Sequence, residues 1–255
     1  MNLFEKILFF ISVPRCVSCG ERLHISEHAL CKKCKAQYLD YKERNCSICS
    51  KPLYYCACTS EYLDAHFIHE HIKVFRYKSG ENSPANELIY KLKRENRRDL
   101  INFLASELTY SIRNSITVNE NTIFTCVPRR RRAKSKYGID HAEKLAKAVA
   151  RNFSAEYKSL LKSKAKSPQK KSDSREKRIQ NAKFKLKNDK LDLSGKTVII
   201  IDDIVTTGAS LGAAAFSIKP LTPKKIVGAS IAIAYKDTYR QFSTNDRFNG
   251  REFIL

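Results

Sequence analysis

The chain has 255 residues, 42% of them apolar, with 48 Lys and Arg against 26 Asp and Glu, for a net charge of +22. That length and apolar content supply a core for one large domain or two modest ones, which excludes a wholly disordered chain. The longest apolar candidate, Leu3 to Val13, is broken by Glu5 and Lys6, has no small-residue cleavage site behind it and falls short of the roughly 20 residues of a membrane span, so the expectation is a cytoplasmic protein without a span.

In chain order, Leu3, Ile7, Leu8 and Ile11 fall at helical spacing, and Pro14 stops that helix. A cysteine block follows. Lys73 to Tyr77 reads as a short strand closed by Ser79-Gly80, and Leu88, Ile89, Leu92, Leu100, Leu104 and Leu108 predict two helices between Pro84 and Arg113. A second alternation starts with the strand Thr122 to Val127, passes through the Arg129–Arg132 loop and enters a helix from about Asp140 to Arg151. The stretch from Lys162 to Lys190 is rich in Lys, Ser and Gln and reads as a long mobile loop. Thr197 to Ile201 is a β-branched strand, followed by a turn, an Ala-rich helix from Ser210 to Ile218 and a last strand from Lys225 to Ala234. Continuous apolar strands alternating with helices predict an α/β fold, a mostly parallel sheet with helices on both faces, and no internal repeat is expected. The expected division is a zinc-binding module over residues 1–60 and an α/β domain over residues 61–255.

Eight of the nine cysteines lie within the first 58 residues as close pairs, which fits metal-bound thiolates in a reducing compartment. Cys16-x2-Cys19 and, eleven residues on, Cys31-x2-Cys34 have the spacing of a tetrahedral four-thiolate Zn2+ site. With all four positions filled by protein, such an ion is structural and folds a segment too short to hold itself together. Cys46, Cys49, Cys56 and Cys58 supply either a second zinc site or part of one site drawing on both sets. His24, His28, His66, His69 and His71 are alternate ligands.

The most informative stretch is Val198-Ile199-Ile200-Ile201-Asp202-Asp203-Ile204-Val205-Thr206-Thr207-Gly208-Ala209-Ser210. Two carboxylates stand at the carboxyl end of a buried strand, where α/β sheets gather their ligands. Behind them come two hydroxyls and a glycine whose bare backbone lets an anion approach the amides at a helix start. Carboxylates just before a phosphate cradle suit a ribose phosphate with Mg2+. No GxxxxGK[ST] occurs, which excludes a Walker P-loop.

This segment resembles the phosphoribosyl diphosphate (PRPP) signature of type I phosphoribosyltransferases. Together with the cysteine-rich start, the Tyr90-Lys91-Leu92-Lys93 helix, Val127-Pro128 before the arginine run, Tyr137-Gly138-Ile139-Asp140-His141-Ala142, Pro168-Gln169, and Arg178 with Asn181 and Phe184, the chain resembles the ComF family of competence-associated, phosphoribosyltransferase-like proteins. The resemblance implies that Asp202 and Asp203 engage the ribose hydroxyls and Mg2+, and that Thr206, Thr207, Gly208, Ala209 and Ser210 hold the 5′-phosphate. It also implies that the loop after Val127-Pro128 lies near the pyrophosphate with Arg129 to Arg132 nearby, Arg130 and Arg132 binding it, and that residues 164–178 form a loop closing over the substrate, where expelling water protects an oxocarbenium-like centre. Where the family commonly has Gly-Phe-Asn-Gln, this chain has Gly138-Ile139-Asp140-His141, so the resemblance extends to the PRPP half of the site and not to the acceptor half.

Residues 129–190 hold 22 Lys and Arg against 6 Asp and Glu. Arg129 to Arg132, Lys134, Lys136, Lys162, Lys164, Lys166, Lys170 and Lys171, with Tyr137, Phe153 and Tyr157 among them, suit single-stranded DNA as a partner, and the resemblance adds proteins of the competence machinery. The alternative to a phosphoribosyltransferase is a non-catalytic DNA-handling adaptor that keeps the fold.

Overall fold

The computed structural model describes residues 14–129, 140–164 and 184–234; the helix expected over Leu3 to Ile11 lies outside them. The elements run α1 (Lys32–Lys42), a 3-10 turn (Leu53–Tyr55), α2 (Glu61–Asp64), β1 (Glu70–Arg76), α3 (Pro84–Arg94), α4 (Arg98–Arg113), β2 (Thr122–Cys126), α5 (His141–Asn152), β3 (Glu156–Tyr157), β4 (Leu161–Ser163), β5 (Phe184–Leu186), β6 (Thr197–Val205), α6 (Ala209–Ile218) and β7 (Lys225–Ile233).

Five strands form one parallel sheet in the order β1-β7-β6-β2-β3, with Thr125 opposite Ile200 and Ile201 opposite Ala229. The central strand β6 shows why both faces need cover. Ile199 and Ile201 enter one apolar layer with Leu88, Leu104 and Leu145 of α3, α4 and α5, while Val198 and Ile200 enter the other with Leu211, Ala214 and Ile218 of α6. The side-chain period of two in a strand turns one apolar run into two cores. α3 starts where its sequence says it should: Ser83 Oγ accepts the Asn86 amide at 3.2 Å, and Pro84 occupies the first turn, where its missing N–H costs nothing.

Three expectations change. The strand read as Thr197 to Ile201 continues to Val205, because Asp202, Ile204 and Val205 stay in register with Ser230, Ala232 and Ile233 of β7; the two acids therefore lie within the strand. The stretch read as a loop from Lys162 to Lys190 begins and ends in strand, since β4 and β5 pair antiparallel, Lys162 opposite Lys185; residues 165–183 lie outside the described ones.

The third change is an internal repeat, present in backbone hydrogen bonds more than in side chains. Cys16 to Leu23 and Cys46 to Leu53 fold alike: the Cys16 amide donates to Glu21 O (2.7 Å) and Gly20 N to Cys16 O (3.0 Å), as Cys46 N does to Lys51 O (2.8 Å) and Ser50 N to Cys46 O (2.9 Å). Each turn is closed by an isolated bridge, Arg15 with Arg22 and Asn45 with Pro52, and each has a positive-φ residue after its second cysteine, Gly20 (φ 76°) and Ser50 (φ 57°).

The cysteine-rich segment packs on the sheet's helical layers. Cys16, Leu30, Cys34 and Tyr38 join the layer of Phe75 and Leu88, whereas Cys46, Leu53 and Cys56 join that of Ile68, Ile200 and Leu211. Tyr38 sets its ring edge-on against Phe75 at 5.9 Å and donates its hydroxyl to Glu107 at 2.7 Å.

Candidate functional site

Strands β2 and β6 are neighbours whose onward connections part. From β2 the chain passes through α5 to β3 on one side; from β6 it passes through α6 to β7 on the other, and α5 and α6 cover opposite faces. The carboxyl ends of two such strands border the crevice in which open α/β sheets bind ligands.

Around this crevice the described residues build a charged cluster. The Val127 amide donates to Ile201 O at 2.9 Å and carries the β2 exit alongside the acids. Arg129 Nη2 then lies 3.6 Å from Asp203 Oδ2, and its backbone N–H donates to Asp140 Oδ2 at 3.1 Å. Asp140 in turn caps α5, its Oδ1 accepting the Glu143 amide at 3.2 Å. Asp202 and Asp203 each accept the next residue's amide, at 2.9 and 2.8 Å. Burial and then the Asp203 charge push the Asp202 carboxyl well above the usual carboxylate range, against a smaller opposing influence of Lys93 on α3. Burial and then the Arg129 charge hold His141 below the ordinary imidazole value, so the first residue of α5 presents a neutral ring at neutral pH. Two adjacent carboxylates, the Asp202 one held protonated more readily than usual, and one guanidinium suit a polyhydroxyl ligand bearing Mg2+, whose charge would favour the ionised form of Asp202.

Beyond Val205 the chain turns through Thr206 and Thr207 to Gly208, which stands at φ +80° as the N-cap of α6. Thr207 Oγ1 accepts the Ala209 amide at 3.3 Å. The opening amides of an α-helix have no carbonyl partner inside it, so this helix start, beside the acidic strand end, offers donors that could cradle an anion, although the Ala209 amide already donates to Thr207. The cradle rests on α2. A Cβ on Gly208 would come within 3.0 Å of Leu63 Cδ2, and one on Gly212 within 2.9 Å of Tyr62 Cε1. Gly208→Val therefore combines a β-branched residue at positive φ with a clash from below; we expect a loss of about 2–4 kcal/mol in denaturant unfolding together with lost anion binding. Unchanged unfolding would show that the loop shifts freely off Leu63.

The eight cysteines gather as two groups, Cys16/Cys19/Cys31/Cys34 and Cys46/Cys49/Cys56/Cys58, whose sulfurs lie within 4.8 Å of one another in each. A zinc–sulfur bond of about 2.3 Å implies sulfurs about 3.8 Å apart around a tetrahedron, and Cys19 and Cys31 sulfurs stand 3.7 Å apart. Amides support the sulfurs: Cys31 N donates to Cys16 Sγ (3.3 Å), Ile48 N to Cys46 Sγ (3.4 Å) and Cys58 N to Cys56 Sγ (3.3 Å). Burial opposes ionisation of Cys16, yet the amides around it bring its thiol down to about 7. Both groups are placed to hold a metal ion, each from its own four cysteines, with no ligands shared between the sets. The histidines are engaged elsewhere or exposed: His66 donates to Tyr62 O, His69 pairs with Asp64, His71 is buried against Ser230, and His24 and His28 face solvent.

Of the residues expected from sequence, Asp202, Asp203, Thr206, Thr207, Gly208, Ala209 and Ser210 meet at one crevice. Arg130 and Arg132 lie outside the described residues, and the described arginine at the acids is Arg129. Sequence reading passed over Lys93 and the Asp140 cap; only the latter left a local signal, Asp140-x-x-Glu143 at a helix start.

Residues 139–252 match the sequence profile of the phosphoribosyl transferase domain. This stretch contains the acidic strand and the Thr-Gly loop, and over it the chain is phosphoribosyltransferase-like. Solved structures similar to the chain include a hypoxanthine phosphoribosyltransferase from Staphylococcus aureus (13% identity, 62% of this chain and 68% of that one, TM-score 0.30). Two adenine phosphoribosyltransferases also align, from Leishmania tarentolae (10%, 62% and 82%, 0.34) and Leishmania donovani (11%, 71% and 85%, 0.34). None of the curated proteins compared matches the chain.

Proposed function

We propose that this chain binds PRPP with Mg2+ in the β2/β6 crevice and acts as a phosphoribosyltransferase, with Zn2+ held by the cysteine groups of the module over residues 1–60. The observation that carries this reading is the meeting of Asp202, Asp203 and the Gly208 cradle at the point where the connections of the sheet part. The acids bind the ribose hydroxyls and the metal, and the cradle takes the 5′-phosphate. Arg129 stands where a pyrophosphate group would leave, and neutral His141 beside it donates or accepts a hydrogen bond without adding charge. Calorimetric titration with PRPP and Mg2+, followed by measurement of pyrophosphate release across nucleobases, tests it. Saturable, Mg2+-dependent binding is expected, and a folded, zinc-replete protein that binds no PRPP would overturn the reading.

A second reading, a DNA-handling adaptor working with competence proteins in the cytoplasm, is favoured by a groove of about 640 Å3 between α4 and α5. Arg98, Lys144, Lys147 and Arg151 line it, together with Asn102 and Tyr157. Lys147 pairs with Glu143 at 2.9 Å, while Lys144 meets only the Asn96 amide oxygen at 2.6 Å among the described residues. Phosphates track such a row of cations, and removing one cation from the row lowers the salt dependence of single-strand binding by about 0.7. Arg98→Glu/Arg151→Glu is expected to weaken binding of a single-stranded oligonucleotide at least about tenfold, with a shallower salt slope and unchanged PRPP binding. Unchanged oligonucleotide affinity would remove the groove from this role.

A further inference from the structure

Lys73 lies in β1 with 1% of its surface exposed, between the buried Ile72 and Val74. Its ammonium donates to the carbonyl of Cys58 at 2.5 Å and to that of His71 at 3.2 Å, and among the described residues no carboxylate pairs with it. The neighbouring acid, Glu70, is taken by Lys225 at 2.7 Å. An ammonium has three donors, and a buried one without a counter-charge is strongly unfavourable however well its carbonyl bonds are made. The fold holds this cation against the second cysteine group, whose Cys58 carbonyl is its shorter contact.

Four neutral thiols offer Lys73 nothing. Four thiolates around a divalent ion carry two net negative charges, and such a centre answers a buried cation. We propose that Lys73 is the counter-cation of a dianionic metal tetrathiolate at Cys46, Cys49, Cys56 and Cys58, an inference that rests on reading this group as a zinc centre of its own. The first group differs. Its nearby arginine, Arg97, is already paired with Asp99 at 2.6 Å and bonds the Arg15 carbonyl at 2.7 Å. Lys73 is thus a positioning residue specific to the second centre, and it ties that centre to the edge strand of the sheet.

The test is metal content and release from the full-length protein. Wild type is expected to hold two zinc ions per chain. In Lys73→Met, one equivalent is expected to pass to a chromogenic chelator about 10–100-fold faster than in wild type, the range for loss of a supporting outer-sphere partner, while the other leaves at its wild-type rate. Two ions in wild type and unchanged release of both from Lys73→Met would overturn the inference. A single ion in wild type would instead overturn the reading of two centres on which it rests. Should Lys73→Met not fold, proton release from the wild-type chain decides: loading the metal-free protein with Zn2+ in weakly buffered solution, at a pH where its thiols are protonated, should release eight protons for two dianionic centres, one from each cysteine of the two groups, whereas six would mean a second centre that retains two protons and has no need of Lys73.

Discussion

Asp202→Asn/Asp203→Asn is expected to lose Mg2+-dependent PRPP binding while melting at a higher temperature than the wild type. Each lost hydrogen bond to a charged carboxylate is worth about 1.5–3 kcal/mol, so removing both should weaken binding by about 100-fold or more. The opposite effect on stability follows from the two acids themselves. Asp202 is pressed against Asp203 with its carboxyl pushed well above the usual range, first by burial and then by its neighbour's charge, and Arg129 answers only part of that charge from 3.6 Å. Asparagine keeps the shape and the oxygen that accepts the Asp203 amide. A gain of about 1–2 kcal/mol corresponds to about 2–8 °C in a domain of this size. A carboxyl whose folded-state pKa is raised binds its proton more tightly in the native state, so its contribution to stability is fully present below the unfolded pKa and is lost as pH rises toward the folded value. The advantage of the variant should therefore be small near pH 4 and largest at neutral pH. Calorimetric titration and scanning across pH check both halves. A double variant that loses binding and also melts lower would mean that the acids hold the fold together and are not a strained ligand site.

Breaking the first cysteine group should have the larger structural effect. In Cys31→Ser/Cys34→Ser we expect one zinc ion fewer per chain, a melting temperature lower by more than about 10 °C, and rapid proteolysis between Arg15 and Lys42. Apart from its cysteines and α1, the segment adds Val17, Leu23, Ala29 and Leu30 to the layer of Phe75 and Leu88. α1 has a polar sequence, KKCKAQYLDYK, and apart from Cys34 buries Tyr38, Tyr41 and the part-apolar Lys42. Its remaining ties are a few polar contacts: Tyr38 and Lys42 to Glu107 at 2.7 and 2.6 Å, and Tyr41 to the Arg76 carbonyl at 2.7 Å. Structural zinc binds cysteine-rich segments with about 10–16 kcal/mol at neutral pH, comparable to the whole stability of an ordinary domain at about 5–15 kcal/mol. Because Tyr41 meets the end of β1 and Tyr38 packs on Phe75, the damage should spread to the sheet edge. Unaltered melting with one ion missing would show that the buried apolar side chains and polar contacts secure the segment without the metal.

How much of this was legible in the sequence depended on whether the cause was local. Thr197 to Ile201 announced β6 because an unbroken β-branched run has few other uses, and Thr206 to Ser210 announced the cradle because a hydroxyl-hydroxyl-glycine turn before an Ala-rich helix is built from neighbours in the chain. The end of β6 was misjudged because Asp202 and Asp203 look like a turn until β7, more than twenty residues on, is seen to hold them in register. Arg129, Lys93 and His141 reach the acids from three other elements, and no spacing in the sequence reports that. The duplicated cysteine turn was hidden because its halves share little beyond two cysteines and a leucine, their likeness residing in main-chain hydrogen bonds. The β4–β5 pair escaped for a similar reason: each strand has only three residues, and the partner lies across a long Lys- and Ser-rich stretch.

The position of β1 in the sheet has a consequence for the order in which the molecule assembles. This largely buried strand has β7 as its neighbour, with Glu70 opposite Val227, so its hydrogen-bonding partner leaves the ribosome only after most of the chain has been made. Distant parallel pairing is slow because a long loop must close before any bond repays it. The cysteine turns ahead of β1 each close over a few residues, through hydrogen bonds within the turn. Nascent chains would therefore carry closed cysteine turns and an unpaired apolar strand for most of their synthesis, and the Thr206–Ser210 turn, seated on α2 between the two, would take its final shape among the last parts to form.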